Sequence, residues 1–254
     1  MRGKRRRRGG SGGRRSLYLL VGGLFVLGSL LVSGVLIAYN ELRGRGLAGR
    51  CDLPVLEGFG GVRAYFDTGS SLLPNLSLVA LGPERARYEV YVFYDLYCPY
   101  CAWEFYESLH LLLGYAVSGK VKLYMVDTIL HREAVRSHGI LRASVGHGDA
   151  YLKALYLASC RLHLDGRDPD AVYMEGVMRE LNVALAGDRV SAEEAKAVQV
   201  TRAAVDLLAR LRGGLERAGT PTIVVYDSEP GEVKEVVFGR VPPETLDSTL
   251  RSLP

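Results

Sequence analysis

Cys98 and Cys101 flank Pro99-Tyr100 at the point where a β-like run gives way to a helix-like one. The preceding Tyr88-Glu89-Val90-Tyr91-Val92-Phe93-Tyr94 is β-branched and aromatic, as a strand requires. The following Ala102-Trp103-Glu104-Phe105-Tyr106-Glu107-Ser108-Leu109 carries apolar residues at helical spacing. Two thiols so placed can form a disulfide and exchange it. The unpaired N–H groups of a helix's first turn, with the aligned peptide dipoles, favour an anion there. Cys98 is therefore expected to ionise below the free-thiol value of about 8.5 and to act as the nucleophile, since only a thiolate attacks a disulfide. Pro99 suits the first helical turn, where its missing N–H has no intrahelical partner. Cys101, one turn further in, is the expected resolving thiol. Each unit of pKa depression favours the dithiol by about 1.4 kcal/mol, or about 30 mV for a two-electron couple, which pushes the pair toward being an oxidant.

Far downstream, Gly219-Thr220-Pro221-Thr222-Ile223-Val224-Val225-Tyr226 puts a proline at the mouth of an apolar strand, one of the few strand positions where its lack of a donor is harmless. Together with the Cys pair this resembles the thioredoxin superfamily, and more closely its protein disulfide oxidoreductases of the DsbA type. Leu81-Gly82-Pro83, Asp95 and the long segment between Val126 and Gly219 fit the same pattern. The resemblance covers residues 78–254. It implies an α/β thioredoxin fold with an inserted helical domain at about 133–218. It also implies a cis-proline loop at Thr220-Pro221 that faces Cys98 and binds extended substrate through the Thr220 backbone. Two departures stand out. The family's buried acid, six residues before the first Cys, is replaced by Val92, which leaves Asp95 and Glu104 as candidates for a proton relay; each also reads as an ordinary solvated or capping carboxylate. The central dipeptide is Pro99-Tyr100, where the DsbA type has Pro-His, so a charge that could assist the thiolate is missing.

Elsewhere, Leu17 to Tyr39 is an uncharged apolar run long enough to cross the roughly 30 Å hydrocarbon core as a helix, with Tyr18 and Tyr39 near its ends. Residues 1–16 carry eight cations and no acid, whereas the flank from Glu41 to Glu57 balances three arginines against three acids. The charge asymmetry predicts a single-pass cell-membrane protein, with a cytoplasmic basic tail (1–16), a transmembrane helix (17–39) in contact with lipid and an extracytoplasmic remainder. The span exceeds the 7–15 apolar residues usual for a cleaved signal peptide and lacks a small-residue site just after it, so an uncleaved anchor is favoured. The net charge of +4 is more than accounted for by the tail, and no basic face for nucleic acid is left. Residues 40–77, rich in glycine, read as a tether with a short strand at Val62–Phe66; the domain of 78–254 follows.

Within that domain, Lys120–Val126 and Val233–Phe238 read as strands, Ser191-Ala192-Glu193-Glu194 as a capping box opening a helix through Val198, Val205, Leu208 and Leu211, and Pro242-Pro243-Glu244 as the start of a last helix. Cys51 and Cys160 either pair with each other, or Cys51 links two chains, or Cys160 is a buried free thiol. Four histidines, His131, His138, His147 and His163, follow no metal-ligand spacing, so no metal is expected, nor any cofactor beyond the redox-active disulfide. The combined expectation is a membrane-anchored thiol:disulfide oxidoreductase acting on thiols or disulfides of exported polypeptides. The resemblance adds a membrane redox partner for recycling, in the family usually quinone-linked. The alternatives are a reductase of extracytoplasmic thiols with the same site and a non-catalytic anchored binding module in which Cys98–Cys101 is a structural bridge.

Overall fold

The computed structural model describes residues 51, 62–213 and 219–254. The basic tail, the apolar segment 17–39 and the glycine-rich stretch up to residue 61, Cys51 apart, lie outside the described residues. Among the described residues no helix is long and apolar enough to cross a membrane.

Six strands form one mixed sheet in the order β1-β2-β4-β3-β5-β6: β1 (Tyr65–Asp67), β2 (Leu78–Leu81), β3 (Tyr88–Tyr94), β4 (Val121–Asp127), β5 (Thr222–Asp227) and β6 (Glu232–Phe238). The central pair β3 and β4 is parallel, with Tyr88 opposite Val121 and Tyr94 opposite Asp127, and every other pairing is antiparallel. Helix α1 (Pro99–Val117) makes the crossover that a parallel pair needs. Both central strands are buried throughout, which is why they read as near-continuous apolar and aromatic runs instead of alternating ones.

Each sheet face has its own core. Val90, Val92 and Tyr94 of β3 point toward Phe105, Leu109 and Leu113 of α1 and toward α6 (Pro243–Arg251) through Leu246 and Leu250. Tyr91 and Phe93 point the other way, to Tyr124, Val126 and the helix α5 (Gly187–Leu211). Between β4 and β5 the described residues form a 3₁₀ turn at Arg132–Ala134 and four helices, α2 (Val135–Ala143), α3 (Ala150–Asp165), α4 (Ala171–Glu180) and α5, so the expected helical insertion is present.

Three features differ from expectation. The short strand expected at Val62–Phe66 lies instead at Tyr65–Asp67 and is an edge strand of the sheet paired with β2, because the Asp67 carboxylate accepts bonds from Lys122 Nζ at 2.6 Å and Tyr124 Oη at 2.5 Å and so locks this segment onto the sheet. Helix α5 begins at Gly187, four residues before the expected capping box, and Ser191 lies inside it. The carboxylate at capping spacing, Glu194, is engaged elsewhere, by Arg136 Nη1 at 2.8 Å, and its neighbour Glu193 is held by Arg142 Nε at 3.1 Å and Lys196 Nζ at 2.7 Å. The buried face of α5 accordingly carries Val190, Glu193, Val200, Ala204 and Leu207, while Val198 and Val205 are half-buried. Finally, of the readings open for the outer cysteines, the structure shows the intramolecular bridge: Cys51 is bonded to Cys160 in α3.

Candidate active site

Cys98 is the N-cap of α1 and Pro99 its first residue. Its backbone is extended (φ −81°, ψ 116°) and becomes helical at Pro99, so the Cys98 sulfur lies among the first free N–H groups of the helix. The approach to it is tightly held. Asp95 accepts the Cys98 N–H on its carbonyl at 3.1 Å and the Tyr97 N–H on its carboxylate at 3.0 Å, which makes a compact turn between the end of β3 and the helix.

Both thiols are free and buried, Cys101 almost completely and Cys98 with a sliver of exposure, 1% against 6%. Their acidities diverge. The Cys98 thiol is pulled from 9.0 down to about 6, first by the Cys101 thiol donating to it; burial opposes this, and the Thr220 side chain and the Cys101 and Tyr100 N–H groups add to the lowering. The Cys101 thiol is pushed well above 9.0, first by burial and then by its neighbour Cys98. One thiol is thus mostly a thiolate at neutral pH and the other remains a proton carrier, the division of labour that exchange through a mixed disulfide requires.

The distant proline loop meets this pair. Thr220–Pro221 is cis, and the Thr220 carbonyl lies 3.3 Å from the Cys98 sulfur, within reach of the thiol in its protonated form, across a separation of 122 residues. The loop is tied down behind by Gly239, whose N–H donates to the Pro221 carbonyl at 2.8 Å. The next two residues continue this link to α1. Arg240 pairs with Glu107 and lays its guanidinium over Trp103, 3.7 Å from the ring centre, and the Val241 N–H donates to the Glu104 carboxylate at 2.9 Å. Tyr100, between the two cysteines, is exposed.

The two candidate relay carboxylates have different environments. Burial would raise the Asp95 carboxyl, but His138 and the Tyr97 and His131 N–H groups outweigh it and hold the group far below the usual carboxylate range. Its Oδ2 also accepts the Leu130 N–H at 2.7 Å and lies 2.8 Å from His131 Nδ1. A carboxylate so firmly ionised has no proton to give at neutral pH, and what its hydrogen bonds do is organise the loop. Glu104 is shifted the opposite way: burial raises its carboxyl, and the Val241 N–H only partly offsets that. Val92, where the resembled family has its acid, is a fully buried member of the α1-facing core.

Sequence reasoning missed the group that stands behind Asp95. His138, on α2 and fully buried, accepts the Leu96 N–H on Nε2 at 3.0 Å and faces the Asp127 carboxylate with Nδ1 at 2.7 Å. Asp127 is also bound by Arg142 Nη1 at 2.6 Å and the Tyr94 hydroxyl at 3.3 Å, and Arg142 reaches Glu193 and the Ser77 carbonyl. No metal-ligand spacing marks His138, and among the described residues no group of three or more His, Cys, Asp or Glu side chains is arranged to hold a metal ion.

A thioredoxin family model matches residues 75–160, a stretch that contains both site cysteines. The fold is thioredoxin-like. Among solved structures, α-DsbA1 of Wolbachia pipientis, in a double-cysteine variant, superposes with a TM-score of 0.55 at 15% identity, covering 72% of this chain and 94% of that one. A thioredoxin-like oxidoreductase from Silicibacter pomeroyi gives 0.50 at 20% identity, covering 68% and 90%. The thiol-disulfide exchange protein α-DsbA2 of Wolbachia pipientis gives 0.50 at 16% identity, covering 69% and 86%. These are likenesses of fold, namely the thioredoxin-like sheet with its helical insertion. No curated protein matches by sequence.

Proposed function

We propose that this chain is a thiol:disulfide oxidoreductase that works through Cys98 and Cys101. The observation that carries this reading is the pairing of a Cys98 thiol lowered to about 6 with a deeply buried, high-pKa Cys101, opposite the Thr220 carbonyl at 3.3 Å. In the oxidising direction a substrate thiolate attacks Cys98 Sγ of the oxidised pair. The Cys98–Cys101 bond breaks, and Cys101 leaves with the electron pair and takes up a proton. A second substrate thiolate attacks the substrate sulfur of the mixed disulfide and releases Cys98 as a thiolate; two electrons have passed from substrate to protein. Glu104, one helical turn beyond Cys101 with its carboxyl raised by burial, is the candidate to exchange that proton. The Thr220 backbone, beside the nucleophile, offers main-chain pairing to an extended polypeptide, which suits broad specificity.

The favoured direction is oxidation, because a stabilised thiolate stabilises the dithiol. The same site run backward is a reductase, and the two-electron reduction potential of the pair separates them: a value near that of thioredoxin, about −270 mV, supports the reductase, and one near −120 mV the oxidase. Insulin reduction and peptide thiol oxidation test catalysis itself. Absence of both, with Cys98 and Cys101 inert to small disulfides, overturns the enzyme reading in favour of a binding module. We further propose that residues 17–39 anchor the domain outside the cytoplasmic membrane, that its substrates are exported polypeptides and that a membrane redox protein recycles it. Protease added outside that membrane should then digest the domain, and its protection until the membrane is broken would reverse the topology.

A further inference from the structure

The nucleophile turn is held from behind by an imidazole whose two nitrogens face different demands. Nδ1 must carry the proton, since it meets the ionised Asp127 at 2.7 Å, and Asp127 is itself pinned by Arg142 at 2.6 Å. The ring therefore cannot turn. Nε2 has a single lone pair, and the Leu96 N–H occupies it at 3.0 Å. The carboxylate Oδ1 of Asp95 lies 3.7 Å from the same nitrogen, beyond hydrogen-bond reach for a neutral ring but the natural partner for a protonated one. A proton on Nε2 would set two N–H groups against each other at Leu96, two residues before Cys98.

We propose that the neutral imidazole of His138 is a latch through which the helical insertion positions Cys98: it holds the Leu96 N–H, and protonation of Nε2 releases the turn and lowers the thiol's reactivity. His138 is a positioning residue, acting through Leu96 and the Asp95 turn. The proposal rests on the reading of Cys98 as the nucleophile.

The surrounding charges make the two forms comparable in energy. Asp95 from the turn after β3 and Asp127 from the end of β4 favour the imidazolium. Arg142 on the same helix opposes it, and is itself offset by Glu193 of α5, which also binds Lys196. Tyr94 of β3 lies against the imidazole and its hydroxyl meets Tyr151 of α3, both kept neutral by burial. His131, next to the 3₁₀ turn, sits on the far oxygen of Asp95. Glu175 of α4 and Glu194 of α5 are taken up by Arg136 at the outer side of α2. Burial works against the charged ring, but Asp127 and Asp95 win and raise His138 to about 8. The latch is thus poised where small changes in pH move it.

The test uses the reduced full-length protein in detergent. Nitrogen-15 NMR follows the His138 ring and the Leu96 amide, and iodoacetamide alkylation follows Cys98, from about pH 5 to 9.5. The His138 ring and the Leu96 amide should titrate together near pH 8. The alkylation rate should climb a second step there, roughly five-fold, equivalent to about 1 kcal/mol at 1.4 kcal/mol per factor of ten. His138→Gln keeps an acceptor for Leu96 without the titration, so it should stay on the upper plateau with no second step. His138→Leu should stay on the lower one. A Leu96 amide indifferent to the His138 titration, an alkylation curve with one step near pH 6, or a second step downward overturns the latch. The wild-type titrations decide even if a variant fails to fold. None of these readouts needs turnover, so loss of disulfide exchange with both steps intact would defeat the proposed enzyme and leave the latch standing.

Discussion

Replacing Cys101 by alanine removes the largest contributor to the acidity of Cys98. The drop from 9.0 to about 6 corresponds to about 4 kcal/mol at 1.36 kcal/mol per unit. A hydrogen bond to a charged acceptor accounts for about 1.5–3 kcal/mol of such a sum, or roughly 1–2 units. The Cys98 pKa of Cys101→Ala should therefore lie between about 7 and 8, and its thiolate fraction at pH 7 should fall from about nine-tenths to between about one-half and one-tenth. Iodoacetamide alkylation, followed by mass spectrometry across pH 5 to 9.5, reads this directly. At pH 7 the variant should react about two to ten times more slowly than the reduced wild type, with the two rates converging in alkali. The same shift contributes to the stability of the reduced protein. The native pKa lies below the unfolded one, so the contribution is complete above about pH 9 and disappears as pH falls through about 6; at pH 7 it is roughly 1.4 kcal/mol. A variant whose titration superposes on that of the wild type would refute the argument that Cys101 donates to the thiolate.

Three further outcomes follow from the same structure. The reduction potential of the Cys98–Cys101 pair should fall by about 59 mV per pH unit below the Cys98 pKa and by about 30 mV per unit above it, because only one proton accompanies two electrons once the thiolate is the stable form; an unbroken 59 mV slope up to pH 8, measured against glutathione, contradicts the depressed pKa. Arg142→Met should lower stability by about 3–5 kcal/mol in urea unfolding, since it leaves the buried Asp127 and Glu193 without their shared cation, whereas a loss below about 1 kcal/mol would show that the network is not buried as described. Cys51→Ser with Cys160→Ser should cost about 2–5 kcal/mol, because the bridge closes a loop over a separation of 109 residues; unchanged unfolding would show that the bridge does not form.

What was legible in the sequence was whatever is written locally. The Cys98–Cys101 motif declares itself through the change of period at residue 98, Pro99 through its fitness for a first helical turn, and the apolar strands through their composition. Thr220-Pro221 was placed beside Cys98 by resemblance, and the fold does bring it there. What was not legible depends on partners far away in the chain. His138 binds Leu96 at a separation of 42, and Arg142 binds Glu193 at a separation of 51; a single buried polar residue on a helix leaves no periodic trace. The misread start of α5 has the same origin, since Glu194 has capping spacing but serves Arg136 at a separation of 58. Glu104 and Asp95 were equally plausible in the sequence, and only their surroundings tell them apart: burial raises both, but Asp95 has the Tyr97, Leu130 and His131 N–H groups and the His131 and His138 rings to outweigh it, whereas for Glu104 the Val241 N–H does so only in part.

The chain from Gly239 to Val241 has a consequence for how this protein can be altered. Three successive residues there touch the proline loop, the outer face of α1 and its buried carboxyl in turn. Surface connections usually tolerate a change of length, because little depends on their register. Here one added residue between Phe238 and Pro243 would put every contact out of step with its partner, so the cis-proline loop and the helix that carries both sulfurs would shift relative to each other. Loop grafting between proteins of this architecture must therefore move the segment from Thr220 to Val241 and α1 as one unit, and length variation must be sought elsewhere, for instance in the turn at Pro230-Gly231 between β5 and β6.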